Sequence, residues 1–367
     1  MKVLHLIGGA EGGGSKNHLI SLLRELNHDE VMLGVFEKGE IYHEAIQAGV
    51  TVNWFDQRSR YDFSVIRRVQ QLIEEENIQI VHTHGPRANL YGYFIRKFVP
   101  FTWVTTVHSD PRNDFLGRGM KGKLFTKLNL MMLQKMDHYF AISSRFKAML
   151  ESFHIPSEKI TTIYNGISFR DIYKAKLSRE DVGMKESDFI VTMVARLDPV
   201  KGHIHAIRAI SRLKEKYPQL KLMLIGDGPY EKELRGEVKR LGLEDHVSFL
   251  LHQEDVHSLL SISNVKLLTS YSESFPLVIL EAARAHIPVI STDVGGVKDL
   301  ISDESLGWMI PVKDEKAIET AIEEAILAEE KGELKAYGDK LYEKASSHYS
   351  LEQFVHSVEK TYEQLLK

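Results

Sequence analysis

At 367 residues the chain exceeds one ordinary core and has room for about two domains of ~150 residues each. Its 43% hydrophobic, 27% charged and 9% aromatic content lies near the globular average, which excludes collagen-like, coiled-coil and natively unfolded chains. A formal net charge of -4 excludes a global field that would hold nucleic acid, and the lack of cysteine excludes disulfides, thiolate nucleophiles and Cys-based metal sites.

A reducing cytoplasm is the compatible compartment. The opening residues carry one Lys and a short apolar run that enters a glycine cluster, without the apolar region and cleavage site of a secretory signal. No apolar stretch approaches the ~20 residues that span a bilayer, so a soluble or surface-bound protein is expected.

Short β-rich runs alternate with amphipathic segments, the pattern of a parallel sheet covered by helices. The first cycle predicts a strand at 3–7, a glycine turn at 8–14 and a helix at 15–26 with Ser15 available as its cap. Further strands are expected at 31–36, 50–55, 78–82, 102–107, 139–142 and 160–164. A charged stretch at 174–188 interrupts the series, which restarts at 189–195 and continues through 221–225, 247–250, 265–269, 289–291 and 308–310. From 314 onward the spacing is helical. The fold class is α/β with two doubly wound domains. The division expected is 1–170, 171–347 and a terminal helix at 348–367.

The run Ser272-Glu273-Ser274-Phe275-Pro276-Leu277-Val278-Ile279-Leu280-Glu281-Ala282 follows a strand and opens a helix. Glu273 is thereby placed at the C-terminal edge of the sheet, where open α/β sheets bind ligands, and Glu281 in the helix body. A diphosphate at that helix start would meet free N–H groups and the positive end of the helix dipole. Pro276 fits the first turn. The competing reading is a surface helix with two solvated glutamates.

Arg196-Leu197-Asp198-Pro199-Val200-Lys201-Gly202 follows the first strand of the second domain. Its guanidinium fork and its mobile ammonium suit a departing diphosphate, or else form surface ion pairs. Five glycines at positions 8, 9, 12, 13 and 14 permit close backbone approach and an anion nest, though not in dinucleotide-binding spacing; Glu37 is a loose candidate for a ribose contact.

His82 and His84 are read as facing opposite ways at a strand end, hence as a poor chelating pair. His108 is read as a hydrogen-bonding partner near neutral pH. The sequence contains no Asp-x-Asp, the short acidic motif that holds a divalent cation on a nucleotide diphosphate. No metal is expected.

Together these segments, with Ile225-Gly226-Asp227-Gly228-Pro229, Tyr164-Asn165-Gly166-Ile167 and Asp293-Val294-Gly295-Gly296, resemble the retaining, nucleotide-sugar-dependent glycosyltransferases of the GT-B type, group 1 or family 4. The resemblance covers essentially the whole chain. It implies two facing Rossmann-like domains with an interdomain cleft, and a terminal helix that returns to the first. Arg196 and Lys201 would grip the donor diphosphate, Glu273 would flank the sugar and Glu281 the ribose. Backbone at Ser274, Phe275, Pro276, Leu277 and Val278 would approach the phosphates. His108, Gly13 and Gly14 would complete the site.

The family often has Gly where Pro276 stands. The implied reaction transfers a sugar to an acceptor hydroxyl with retention, by same-face departure and attack, and needs no cofactor beyond the nucleotide sugar. Alternatives are a nucleotide-sugar epimerase, a sugar phosphorylase, or a non-catalytic nucleotide-sugar-binding module.

Leu251-His252-Gln253-Glu254 is placed near the base without selecting one. The expected acceptor is a glycan, a lipid-linked sugar or a small molecule. Arg112, Arg118, Lys121, Lys123 and Lys127 precede an apolar helical stretch, which suggests either peripheral contact with an anionic inner membrane face or an ordinary helix packed on the first sheet.

Overall fold

In a computed structural model the chain is described over residues 1–12, 14–57, 59, 62–115, 117, 119–170 and 176–367. Gly13, Arg118 and the start of the charged linker at 174–175 lie outside the described residues.

The chain divides into two units, Met1–Asn165 with Leu351–Lys367, and Gly166–Ser350. The first holds β1 (Val3–Ile7), β2 (Val31–Val35), β3 (Thr51–Trp54), β4 (Ile80–His84), β5 (Thr102–Val107), β6 (His138–Ala141) and β7 (Ile160–Thr162). They form one parallel sheet in the order β3-β2-β1-β4-β5-β6-β7. The second holds β8 (Phe189–Val194), β9 (Leu220–Ile225), β10 (Val247–Phe249), β11 (Val265–Leu268), β12 (Val289–Thr292) and β13 (Trp308–Ile310), ordered β10-β9-β8-β11-β12-β13. Both sheets are doubly wound: strand order reverses between β1 and β4 in one, and between β8 and β11 in the other. Such switch points open a crevice at the C-terminal strand ends.

Continuous apolar runs form these strands because helices cover both faces of each sheet, so successive residues are buried on alternate sides. In β1, Leu4 and Leu6 join a core with Val81 and Trp103. Val3 and Ile7 face the other way, into a core with Leu19, Leu22, Val104 and Phe140. The helix Leu351–Leu365 closes that second core with Phe354, Val355, Val358 and Tyr362. In the other unit Val191, Leu222 and Leu267 pack with Ile207, Ile210, Ile322 and Ile326.

Two local expectations are corrected. β4 runs on to His84 instead of ending near 82, because all five of its residues are buried and paired along β1 and β5. Ser15 is not a helix cap: the helix already begins at Gly14, and the Ser15 hydroxyl donates back to the Gly12 carbonyl at 3.4 Å.

Candidate functional site

At the β8/β11 switch point, loops that are far apart in sequence interlock through backbone groups. Asp198 accepts from the Val200 amide at 3.1 Å and starts a short 3-10 turn, Pro199–Lys201, that ends at Gly202 with φ +70. A Cβ on Gly202 would collide with the Thr269 carbonyl, so glycine is required for the close approach. That approach is sealed by the Thr269 hydroxyl donating to the Lys201 carbonyl at 3.0 Å and the Tyr271 amide donating to the Val200 carbonyl at 2.8 Å. Lys201 therefore reaches Glu273: its Nζ lies 2.7 Å from Oε1, which also accepts from the Ser270 hydroxyl at 2.6 Å. Both charged side chains are mostly shielded from solvent, at 25% and 15% exposure.

Two further glycine segments hold the same edge. Gly226 and Gly228 press their α-carbons against the carbonyls of Ala195 and Leu197. Gly295, with φ +54, abuts the carbonyls of Glu273 and Ser274, and the Gly296 amide donates to the Ser274 carbonyl at 2.9 Å. Four of the sequence segments that resemble the family thus converge. Arg196 is exposed on this edge, and its guanidinium meets no hydrogen-bonding or ionic partner among the described residues. Leu251 reaches the edge through its carbonyl, which accepts from the Gly226 amide at 2.6 Å, and 251–254 are exposed.

The helix after β11 spans Leu277–Arg284. Pro276 precedes its first residue instead of occupying the first turn, and its φ of -78 with ψ of 102 directs the chain into the helix. Phe275 is buried against Tyr349, while Ser274, Leu277 and Val278 are half-buried. The first helical N–H groups have no partner within the helix. Glu281 lies in the helix body, and burial pushes its carboxyl up, opposed by Arg284 and Lys266.

Lys266 escaped the sequence reading. It sits at the centre of β11, 1% exposed, with Nζ donating to the Leu267 carbonyl at 2.8 Å. Burial pushes its amine down to about 7, against the pull of Glu281 and Glu273 and with Lys201 repelling it. A charged residue inside an apolar strand was the available signal. His203, at the start of the helix after Gly202, is also buried, with neither ring nitrogen hydrogen-bonded among the described residues. Burial, then Lys266 and Lys201, pushes it down to about 4.

In the first unit the glycine loop follows β1. Its nest is occupied by its own carboxylate: Glu11 accepts from the Gly8 amide at 3.2 Å and the Gly9 amide at 2.6 Å. Gly14 opens the next helix and is exposed. Glu37 is committed to Arg87 at 2.5 Å.

The reading of His82 and His84 is overturned. Residues two apart on a strand share a face, and their rings stack with centroids 4.3 Å apart. His5, paired with His82 across β1 and β4, joins them, and the three offer ligand atoms within 4.8 Å of one another. His108 lies beside this group, half-buried, its Nε2 3.2 Å from His84 Nδ1. Burial holds His108 well below 6.5, with His18 adding repulsion. His18 packs edge-on against His108 at 4.7 Å and bonds to Asn165, so the Tyr164–Ile167 segment serves the first unit's interior through Asn165.

The helix Gly119–Leu133 buries Gly122, Asn129, Met132 and Leu133. It exposes Met120, Leu124 and Met131 together with Lys121, Lys123 and Lys127. Arg112 pairs with Asp110 at 2.6 Å. No helix among the described residues is long and apolar enough to cross a membrane.

Residues 175–341 match the family described as glycosyl transferases group 1, and residues 12–170 match glycosyltransferase family 4. The chain is 29% identical to N-acetyl-alpha-D-glucosaminyl L-malate synthase of Bacillus anthracis over 76% of its own length and 74% of that protein's. It is 24% identical to the UDP-Gal:alpha-D-GlcNAc-diphosphoundecaprenol alpha-1,3-galactosyltransferase of Escherichia coli, over 69% and 67%. The fold is that of Anabaena HepE, solved in complex with UDP: TM-score 0.87 at 22% identity, covering 99% of this chain and 100% of that one. HepE with UDP-glucose gives a TM-score of 0.84 at 21% identity, over 99% and 100%.

Proposed function

Because the chain belongs to the group 1 glycosyltransferases, with two Rossmann-like units of the GT-B type, we propose that it moves a sugar from a nucleoside diphosphate sugar to an acceptor hydroxyl with retention. The observation that carries this reading is the meeting of Lys201 and Glu273 at 2.7 Å on the switch-point edge, with Arg196 exposed after β8 and Glu281 in the helix that follows β11.

In this reading Arg196 and Lys201 hold the diphosphate, and the helix start at Leu277 adds N–H donors. Glu273 orients Lys201 and accepts from a sugar hydroxyl. Glu281 accepts from the ribose hydroxyls, with Arg284 and Lys266 opposing the rise that burial imposes on its carboxyl. Charge builds on the leaving phosphate as the glycosidic bond breaks, and fixed cations stabilise it there more than in the ground state. No carboxylate is assigned as a nucleophile beneath the sugar. The acceptor therefore attacks from the face the diphosphate leaves, and its proton passes to that phosphate. His108, Gly13 and Gly14 are assigned to the same reaction on the family resemblance.

UDP is the nucleoside diphosphate favoured by the relatives' names, and cell-surface polysaccharide or glycolipid synthesis is the setting they suggest. The exposed Met120, Leu124 and Met131 among lysines suit transient contact with an anionic cytoplasmic membrane face that presents a lipid-linked acceptor. Flotation with anionic vesicles tests this: binding lost on Lys121→Glu with Lys123→Glu supports it, and no binding by the wild type refutes it.

The absence of Asp-x-Asp and the presence of the two cations support turnover without a resident metal. The deciding experiment incubates the protein with UDP, GDP and ADP sugars, with and without acceptor glycans and EDTA. Acceptor-dependent nucleotide release that survives EDTA is expected. Interconversion of the donor without acceptor, dependence on inorganic phosphate, or abolition by chelator refutes the reading.

A further inference from the structure

β1, β4 and the turn after β5 gather His5, His82, His84 and His108 beneath Tyr362 of the terminal helix. His108 Nε2 lies 3.2 Å from His84 Nδ1, His84 Nε2 lies 3.0 Å from His5 Nδ1, and His5 Nε2 lies 3.3 Å from the Tyr362 hydroxyl. That hydroxyl also lies 2.5 Å from His82 Nδ1, whose Nε2 is 2.7 Å from the Thr106 hydroxyl. The groups form one unbranched chain with two polar contacts at each inner member.

Burial holds all four imidazoles far below 6.5, so each is neutral and carries one N–H and one lone pair. Every link needs one proton, and each inner ring has only one to give. Each ring therefore passes the direction on, and so does the phenol, whose one proton has no other acceptor among the described residues.

The contrast between the two contacts of the phenol chooses the direction, because hydroxyl donors make shorter hydrogen bonds than N–H donors, while the 2.7 Å contact of His82 Nε2 with Thr106 fits either donor. The phenol donates to His82 at 2.5 Å and accepts the longer bond, 3.3 Å, from His5 Nε2. His5 Nδ1 then accepts from His84 Nε2, and His84 Nδ1 accepts from His108 Nε2. The remaining nitrogen of His108, Nδ1, keeps its lone pair.

We propose that Tyr362, His5 and His84 are positioning residues, a proton-ordered relay that fixes His108 in one tautomer and presents its Nδ1 as an acceptor for a substrate hydroxyl. The substrate step rests on the assignment of His108 to the reaction made above; the ordering does not. The relay also gives the terminal helix a part in the chemistry beyond packing, since Tyr362 sets the direction.

Nitrogen NMR of ring-labelled histidine reads the tautomers directly. In the wild type, His5, His84 and His108 should all show a protonated Nε2 and an unprotonated Nδ1. Tyr362→Phe removes the acceptor for His5 Nε2–H, so the chain reverses: the His108 Nε2 signal moves to the unprotonated position and Nδ1 to the protonated one, and kcat falls more than the donor KM rises. Opposed tautomers on neighbouring rings in the wild type overturn the proposal without any variant, so a Tyr362→Phe chain that fails to fold leaves the test intact.

A His108 spectrum unmoved by Tyr362→Phe overturns it too. So does stoichiometric zinc or nickel retained on His5, His82 and His84 in the purified protein. If the tautomers behave as stated while His108→Ala turns over normally, the relay stands and the assignment of His108 to the reaction falls.

Discussion

Replacing Lys266 by methionine, which matches its length without its charge, should stabilise the second unit, and the gain should depend on pH. The native amine titrates near 7 and the unfolded one near 10.5, the difference arising chiefly from burial. Between those values the unfolded chain binds more protons, so native stability rises with pH across that window and is lost as pH falls toward 7. At about 1.4 kcal/mol per pKa unit, the penalty relative to high pH is about 4 kcal/mol at pH 7 and about 1 kcal/mol at pH 9.5.

Lys266→Met removes that penalty at the loss of one hydrogen bond to the Leu267 carbonyl. Urea titrations followed by circular dichroism at the two pH values are the assay. With an m-value of ~2–3 kcal/mol per molar, the midpoint should rise by roughly 1–2 M at pH 7 and by much less at pH 9.5. An equal shift at both values, or a lower midpoint at pH 7, refutes the reasoning.

Lys201→Ala and Glu273→Ala should each lower turnover about a hundredfold, about 3 kcal/mol, in steady-state assays with saturating donor; near-normal rates remove both from the site. Gly295→Ala, which forces a Cβ toward the Glu273 and Ser274 carbonyls at φ +54, should lower the melting temperature and slow turnover together, as measured by calorimetry alongside initial rates. The first unit should be acid-labile. His5, His18, His82, His84, His108 and His138 are held neutral by burial, so their contribution is complete above pH 6.5 and is lost progressively as pH falls below it. Melts at pH 7.5 and 5 should show the first unit unfolding at a markedly lower temperature at pH 5, and an unchanged transition contradicts the burial argument.

The strand series and the two sheets are legible in the sequence because runs such as Phe189–Val194 and Leu220–Ile225 are apolar on both faces and are punctuated by glycine or charge. The switch-point loops are legible for a related reason: Gly202, Gly226 and Gly295 sit where backbone must pass close to backbone. What pairing adds is lateral. That His5 stands beside His82 depends on β1 lying against β4, which no local spacing encodes. The facing of His82 and His84 was recoverable from strand periodicity, since residues two apart share a side. Lys266 and His5 were each visible as a polar residue inside a buried strand, and such residues survive only with partners or a function. The Glu11 carboxylate in the glycine nest follows from a fold-back of three residues that composition does not disclose.

The central claim is that the β8/β11 edge receives the nucleoside diphosphate. A crystal of the protein grown with UDP-glucose tests it most directly. The account predicts the diphosphate within hydrogen-bond reach of Arg196 and Lys201, with the ribose hydroxyls on Glu281; nucleotide bound away from these three side chains contradicts it.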